Sequence, residues 1–239
     1  MITTGIKAPL VLERAKSQTL SFYIYSDGSI IDPTSGTITI FDQNKNEIVS
    51  AAAVTVSGTT PNKYVTYSLS SSVIPSTLTL SDNWLVEWSI VVSGETHIFR
   101  QEACLALRSF YPVVSDSDIT SRHYNISSLV STQKPIATYT NEAWNILNAK
   151  LFSNKRPYLI MSSWALREVH ICKTLALIMR DLETTSQGRG KYAELADFYE
   201  NAFEKEYDKL SFKYDESETN TPAQAEVQSG VSVIYLQGR

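Results

Sequence analysis

Trp84-Leu85-Val86-Glu87-Trp88-Ser89-Ile90-Val91-Val92-Ser93-Gly94-Glu95-Thr96-His97-Ile98-Phe99 sets two apolar, β-branched and aromatic runs on either side of Ser93-Gly94-Glu95. Period-two alternation is the signature of a half-buried strand, and a short glycine-containing turn between two such runs predicts a hairpin. Segments of the same texture lie upstream. Working outward, strands are expected at 10–14, 19–25, 37–41, 47–56, 64–69, 84–92 and 96–107, separated by clusters of turn formers. Short strands at this spacing predict an antiparallel β-sandwich of immunoglobulin-like build over residues 1–112.

The texture changes near Pro112, where an X-Pro step disfavours helix before it and removes a ladder donor. Helices are expected over 113–212. Ser115-Asp116-Ser117-Asp118 offers capping oxygens ahead of Ile119, and Thr140-Asn141-Glu142 does so ahead of Ala143, Trp144, Leu147 and Leu151. Pro157 suits the first turn of the longest expected helix, whose apolar stripe contains Ile160, Trp164, Ile171, Leu175, Ile178 and Leu182. A polar turn over 184–190 then leads to a second amphipathic helix bearing Tyr192, Leu195, Tyr199, Phe203 and Leu210, which makes an antiparallel helical hairpin. The fold class expected is therefore α+β, with 213–239 as a linker and carboxy-terminal arm ending in the strand-forming run Val231-Ser232-Val233-Ile234-Tyr235-Leu236.

The chain of 239 residues has a formal net charge of −4, which opposes general binding of a phosphate backbone. No run reaches the length of a membrane span, and residues 1–5 lack the basic start and apolar run of an export signal. Cys104 and Cys172 suit buried positions, since two distant cysteines build neither a disulfide framework nor a metal knuckle. The three histidines, His97, His123 and His170, have no second ligand at useful spacing. Asp42, Asn44 and Asn46 imitate the start of a calcium loop, but Glu47 and Ala53 stand where its glycine and final glutamate belong, so a polar turn is expected instead. Gly188-Arg189-Gly190 is a helix stop, not a phosphate cradle. No enzyme, cofactor or metal is expected.

Two features exceed the needs of packing. Tyr192, Tyr199 and Phe203 form an aromatic stripe that serves either as the core of its own domain or as a subunit interface. Val231, Val233, Ile234, Tyr235 and Leu236 form a strand that either folds back on its own sheet or adds to a sheet edge of another protein.

Tyr111-Pro112, Ser115-Asp116-Ser117-Asp118, Ala143-Trp144 and the helical stretches 166–182 and 192–210 resemble the helical head-to-tail connector, or adaptor, family of tailed bacteriophages, over about residues 112–239. The resemblance implies a homo-oligomeric ring, commonly dodecameric, in the neck of a virion assembled in the host cytoplasm. Such a ring binds the portal protein through the terminal arm, meets a tail-side neck or tail protein, and surrounds a DNA channel without specific DNA binding. Mild acidity suits such a conduit. The strand-rich first half is a departure from the compact members, an added domain on the ring. The alternative is a carbohydrate- or host-surface-binding sandwich of a phage tail or baseplate, with Trp84, Trp88, Tyr64 and Tyr67 as its aromatic site.

Overall fold

The computed structural model describes residues 2–3, 9–154, 156–185, 190, 192–213 and 227–229. In chain order the strands are β1 (Ile2–Thr3), β2 (Leu10–Glu13), β3 (Gln18–Phe22), β4 (Tyr25–Ser26), β5 (Ser29–Ile30), β6 (Ser35–Phe41), β7 (Glu47–Ala53), β8 (Thr55–Ser57), β9 (Tyr64–Leu69), β10 (Ser81–Val92) and β11 (Glu95–Ala106). Then come α1 (Asp116–Arg122), α2 (Ile126–Leu129), α3 (Ile136–Asn154), 3₁₀ turns at Pro157–Leu159 and Ser163–Leu166, α4 (Arg167–Thr185), α5 (Ala193–Asp208), β12 (Ser211–Lys213) and β13 (Val227–Ser229). The protein is α+β, with most of its strands in the first half and most of its helices in the second, where β12 and β13 pair as a small antiparallel sheet. It divides into two compact units: Met1–Ser109 with Phe152–Leu159, and Phe110–Leu151 with Ile160–Arg239.

In the first unit β10 and β11 form the central hairpin. Val92 pairs with Glu95, and Ser93 and Gly94 between them both have positive φ, at 52° and 87°. That is the two-residue primed turn whose twist matches the flanking strands. On β10, Trp84, Val86, Trp88, Ile90 and Val92 are all buried, so one strand face is continuous core. The hairpin sits in a five-stranded sheet of order β2-β11-β10-β6-β7. Its pairs are antiparallel except β2, which runs parallel to β11 and brings Leu12 beside Leu105. A second sheet has the order β3-β9-β8, and its Phe22 ring stacks on Trp88 with centroids 5.1 Å apart.

The single strand expected over 47–56 is two strands in different sheets. β7 pairs with β6 and β8 pairs with β9. Register irregularities along β6, and the positive φ of Ala51, turn the chain away from the first sheet after Ala53. Residues 152–159 close this unit: the Leu107 N–H donates to the Tyr158 carbonyl at 3.1 Å.

In the second unit α1 begins as its sequence suggests, with the Asp118 carboxylate accepting from the Ser115 N–H (2.8 Å) and hydroxyl (2.9 Å). Two other helix starts differ from expectation. α3 begins at Ile136, directly after Pro135, so Thr140 lies inside the helix and returns its hydroxyl to the Ile136 carbonyl at 3.1 Å. Pro157 opens only a 3₁₀ turn, and α4 begins at Arg167. Ser162, extended at φ −151°, interrupts the stripe and accepts the Trp164 N–H.

The core of this unit joins Val114, Ile119, Ile126, Ile136 and Tyr139 to Ile171, Leu175, Ile178 and Met179 of α4 and Ala196 of α5. Ion pairs Lys173–Glu200 (2.6 Å) and Arg180–Asp197 (3.3 Å) show α4 and α5 side by side and antiparallel. Glu183 fastens their link, accepting from the N–H groups of Gly190 (2.6 Å) and Tyr192 (3.0 Å). Those two bonds hold its carboxyl below the usual carboxylate range.

Candidate functional site

α5 spreads its aromatic residues around the helix, and their fates differ. Phe203 is 2% exposed, an interior residue of its own chain. The ammonium groups of Lys150 (4.8 Å) and Lys173 (4.9 Å) both approach its ring centre, each bound to a glutamate of α5, Glu204 and Glu200. Tyr192 and Tyr199 are half-buried against the unit's core. The Tyr199 hydroxyl hydrogen-bonds His123 Nε2 at 2.5 Å, and burial pushes its pKa up. As placed in the single chain, the stripe Tyr192–Tyr199–Phe203 packs chiefly inward.

The α5 aromatic that faces water is Phe198, at 62% exposure. It meets Tyr199 edge-on with centroids 5.2 Å apart, Tyr199 meets the His123 ring at 5.6 Å, and Tyr124, next in sequence, is 85% exposed. The signal for Phe198 was present in the sequence, one residue out of the stripe. Around it α5 is strongly acidic: Glu194, Asp197, Glu200, Glu204, Glu206 and Asp208 face only Lys205 as a basic residue of the same helix.

A second apolar surface begins at Trp164, which is 65% exposed although its sequence position suggested core. It stands in the 3₁₀ turn ahead of α4, outside the helical period. Arg167 lies over its ring at 5.9 Å, and Tyr111, also exposed, donates its N–H to Ser163 Oγ at 3.2 Å beside it. Residues Val231, Val233, Ile234, Tyr235 and Leu236 of the terminal strand lie outside the described residues, as do Gly188 and Arg189.

The polar groups with chemical potential are dispersed. His170 is fully buried, its Nε2 against the Thr140 carbonyl at 2.9 Å and its ring 5.3 Å from Trp144. Since a carbonyl only accepts, Nε2 carries the proton and Nδ1 is the bare nitrogen, buried without a partner among the described residues. Burial holds the His170 pKa below its ordinary value, against the raising effect of the Thr140 carbonyl. Both cysteines are buried and unbridged. Burial raises both thiols, that of Cys172 to about 11, which leaves little thiolate for chemistry. Among the described residues no set of three His, Cys, Asp or Glu side chains converges as a metal site, and no helix is long and apolar enough to cross a membrane.

Of the four aromatic residues that motivated a sugar site, Trp84 and Trp88 are buried, with Trp84 Nε1 donating to Ser81 Oγ at 2.9 Å, whereas Tyr64, stacked on Tyr23, and Tyr67 are half-buried. Asp42 makes the polar turn: Oδ1 accepts the N–H groups of Asn44 and Asn46, both at 2.8 Å, and Lys45 has a φ of 64°. No family model matches the chain, and no curated protein matches its sequence.

Proposed function

We propose that this chain is a non-enzymatic virion protein, a head-to-tail connector of a tailed phage. Copies form a ring, dodecameric by likeness to the helical adaptors, beneath the portal in the virion neck, and join capsid to tail around the DNA channel. The helical unit acts as the ring-forming bundle. The strand unit is an immunoglobulin-like sandwich displayed on it, and 231–236 reaches the portal as an added strand.

The observation that carries this reading is the exposed apolar surface of the helical unit. Phe198, Tyr124 and Trp164 stand largely in water on a unit that already has a filled core. Large apolar patches on a soluble surface mark sites of association. Two exposed aromatic groups of different surroundings suit head-to-tail contacts, which close into a ring when the rotation between successive copies closes.

The test is electron microscopy of the purified full chain alone and with a portal. A ring with a central hole supports the reading, and monodisperse single chains under both conditions would refute it. Deleting 229–239 should abolish co-sedimentation with the portal; retained binding would remove the arm from the account.

A further inference from the structure

At one edge of the strand unit, separate segments enclose an open cleft of about 500 Å³. The β4–β5 hairpin contributes Ser26 and Ile30, Ile31 and Asp32 follow directly, the β8–β9 connection contributes Pro61, and the β10–β11 turn contributes Val92 and Ser93. Volumes of this order are typical of sites for small groups, which combine apolar walls with a few placed polar atoms. Here Ile30, Ile31, Pro61 and Val92 supply the walls. Among the described residues Asp32 is the one ionisable group in the lining.

Asp32 is held in place chiefly by hydrogen bonds, with a smaller coulombic attraction to the Lys63 side chain. Its Oδ1 accepts the Lys63 N–H at 3.0 Å, and the Thr60 hydroxyl donates to the same carboxylate. Those bonds keep its carboxyl below the usual range, so it is charged at neutral pH. A carboxylate has about four acceptor positions, so capacity remains after two donors are bound.

An anion is repelled from such a cleft. A divalent cation needs several oxygen ligands where there is one carboxylate. A sugar lacks an aromatic face to stack on among these residues. A cation on an aliphatic stem satisfies both parts, the stem lying along the apolar walls and the head reaching the carboxylate. Because Oδ1 is already engaged, the forked, two-oxygen grip of a guanidinium is disfavoured and a point-charge ammonium fits better.

We infer that the Asp32 cleft binds a primary ammonium on an aliphatic stem, the side chain of a lysine presented by a partner protein. This does not rest on the connector reading.

The experiment titrates the full ¹⁵N-labelled chain with the tripeptide acetyl-Ala-Lys-Ala-amide and follows amide shifts by NMR. Parallel titrations use the norleucine and arginine versions of the peptide. The lysine peptide should shift the amides of Ser26, Ile30, Ile31, Asp32, Val92 and Ser93, and bind about tenfold or more tighter than the uncharged norleucine peptide, the range of one charged hydrogen bond. Asp32→Asn should remove that preference. Ile31→Ser, which spares both hydrogen bonds at Asp32, should weaken the lysine and norleucine peptides alike, and it serves as the test if the Asp32 variant does not fold. Equal binding of the norleucine peptide, equal or tighter binding of the arginine peptide, shifts confined to other surfaces, or no shift at tens of millimolar peptide would each overturn the inference.

Discussion

The Lys173 ammonium sits 4.9 Å above the centre of the Phe203 ring while it also bonds Glu200 Oε1 at 2.6 Å. One α4 side chain thus serves an aromatic face and a carboxylate on α5. The lysine is itself largely buried, so both contacts operate with little screening. Phe203→Ala should therefore destabilise the helical unit by about 3–5 kcal/mol, the usual cost of emptying a buried aromatic site. Lys173→Met, which keeps the stem and loses the charge, should cost less, about 1–2 kcal/mol. Urea unfolding followed by far-ultraviolet circular dichroism reads both, and a Phe203→Ala cost below about 1 kcal/mol would show that the site is not core.

Phe198 gives the opposite expectation. It is exposed, so Phe198→Asp should leave the unfolding midpoint within about 0.5 kcal/mol of the parent chain. If this surface joins copies, the same change should shift the sedimentation profile from assembled species to single chains, because a charge would be buried without a partner at the contact. Unaltered sedimentation would take Phe198 out of the interface.

Two glycines of the strand unit separate crowding from backbone strain. A Cβ added at Gly36 would stand 2.7 Å from the Ser89 carbonyl oxygen and 2.6 Å from Ile90 Cδ1, and the carbonyl belongs to the paired strand and cannot swing aside. At Gly94 nothing lies within 4 Å, and only its φ of +87° resists a side chain. Gly36→Ala should cost about 2–3 kcal/mol by overpacking and Gly94→Ala about 1 kcal/mol by left-handed strain. Thermal melts that rank them the other way round would mean that β6 relaxes away from β10.

How much of this was legible from sequence depended on whether the signal was local. The β10–β11 hairpin is local: alternation puts Trp84, Val86, Trp88, Ile90 and Val92 on one face, and Ser93-Gly94 makes the turn. The start of α1 at Ser115 is also local, one carboxylate serving its own first turn. The helix starts at Thr140 and Pro157 misled because cap-forming residues are also tolerated elsewhere. Thr140 bonds backward to Ile136 inside α3, and Pro157 suits a 3₁₀ turn as well as a helix. Partitioning was the least legible. Nothing in the periodicity of 152–159 marks that segment for the strand unit, because its ties are long-range, among them the bond from Leu107 to Tyr158 and the packing of the Pro157–Leu159 turn on β10 and β11. At the surface, Phe198 and Tyr199 are adjacent and of one chemical type, and long-range packing of Tyr199 against the unit's core and His123 decides which of them is covered.

His170 supplies a pH dependence whose sign is fixed by geometry. The folded chain buries a neutral imidazole with Nε2–H committed to Thr140, so adding a proton would place an uncompensated charge beside Trp144. Its folded pKa is depressed, while in the unfolded chain it is near the ordinary 6.5. The unfolded state therefore takes up the proton first as pH falls. The full stability is present above about pH 6.5 and is lost on acidification, by at most ~1.4 kcal/mol per pH unit, until the folded value is reached. Between pH 7.5 and 5.5 the helical unit should lose about 1 kcal/mol, read as a lower urea midpoint. His170→Gln should flatten that slope. In ¹H–¹³C spectra of the folded chain the His170 ring should take up its proton only at a pH below the ordinary imidazole value of 6.5; a half-protonated ring already at pH 6.5, with folding intact, would show that the interior accommodates the charge.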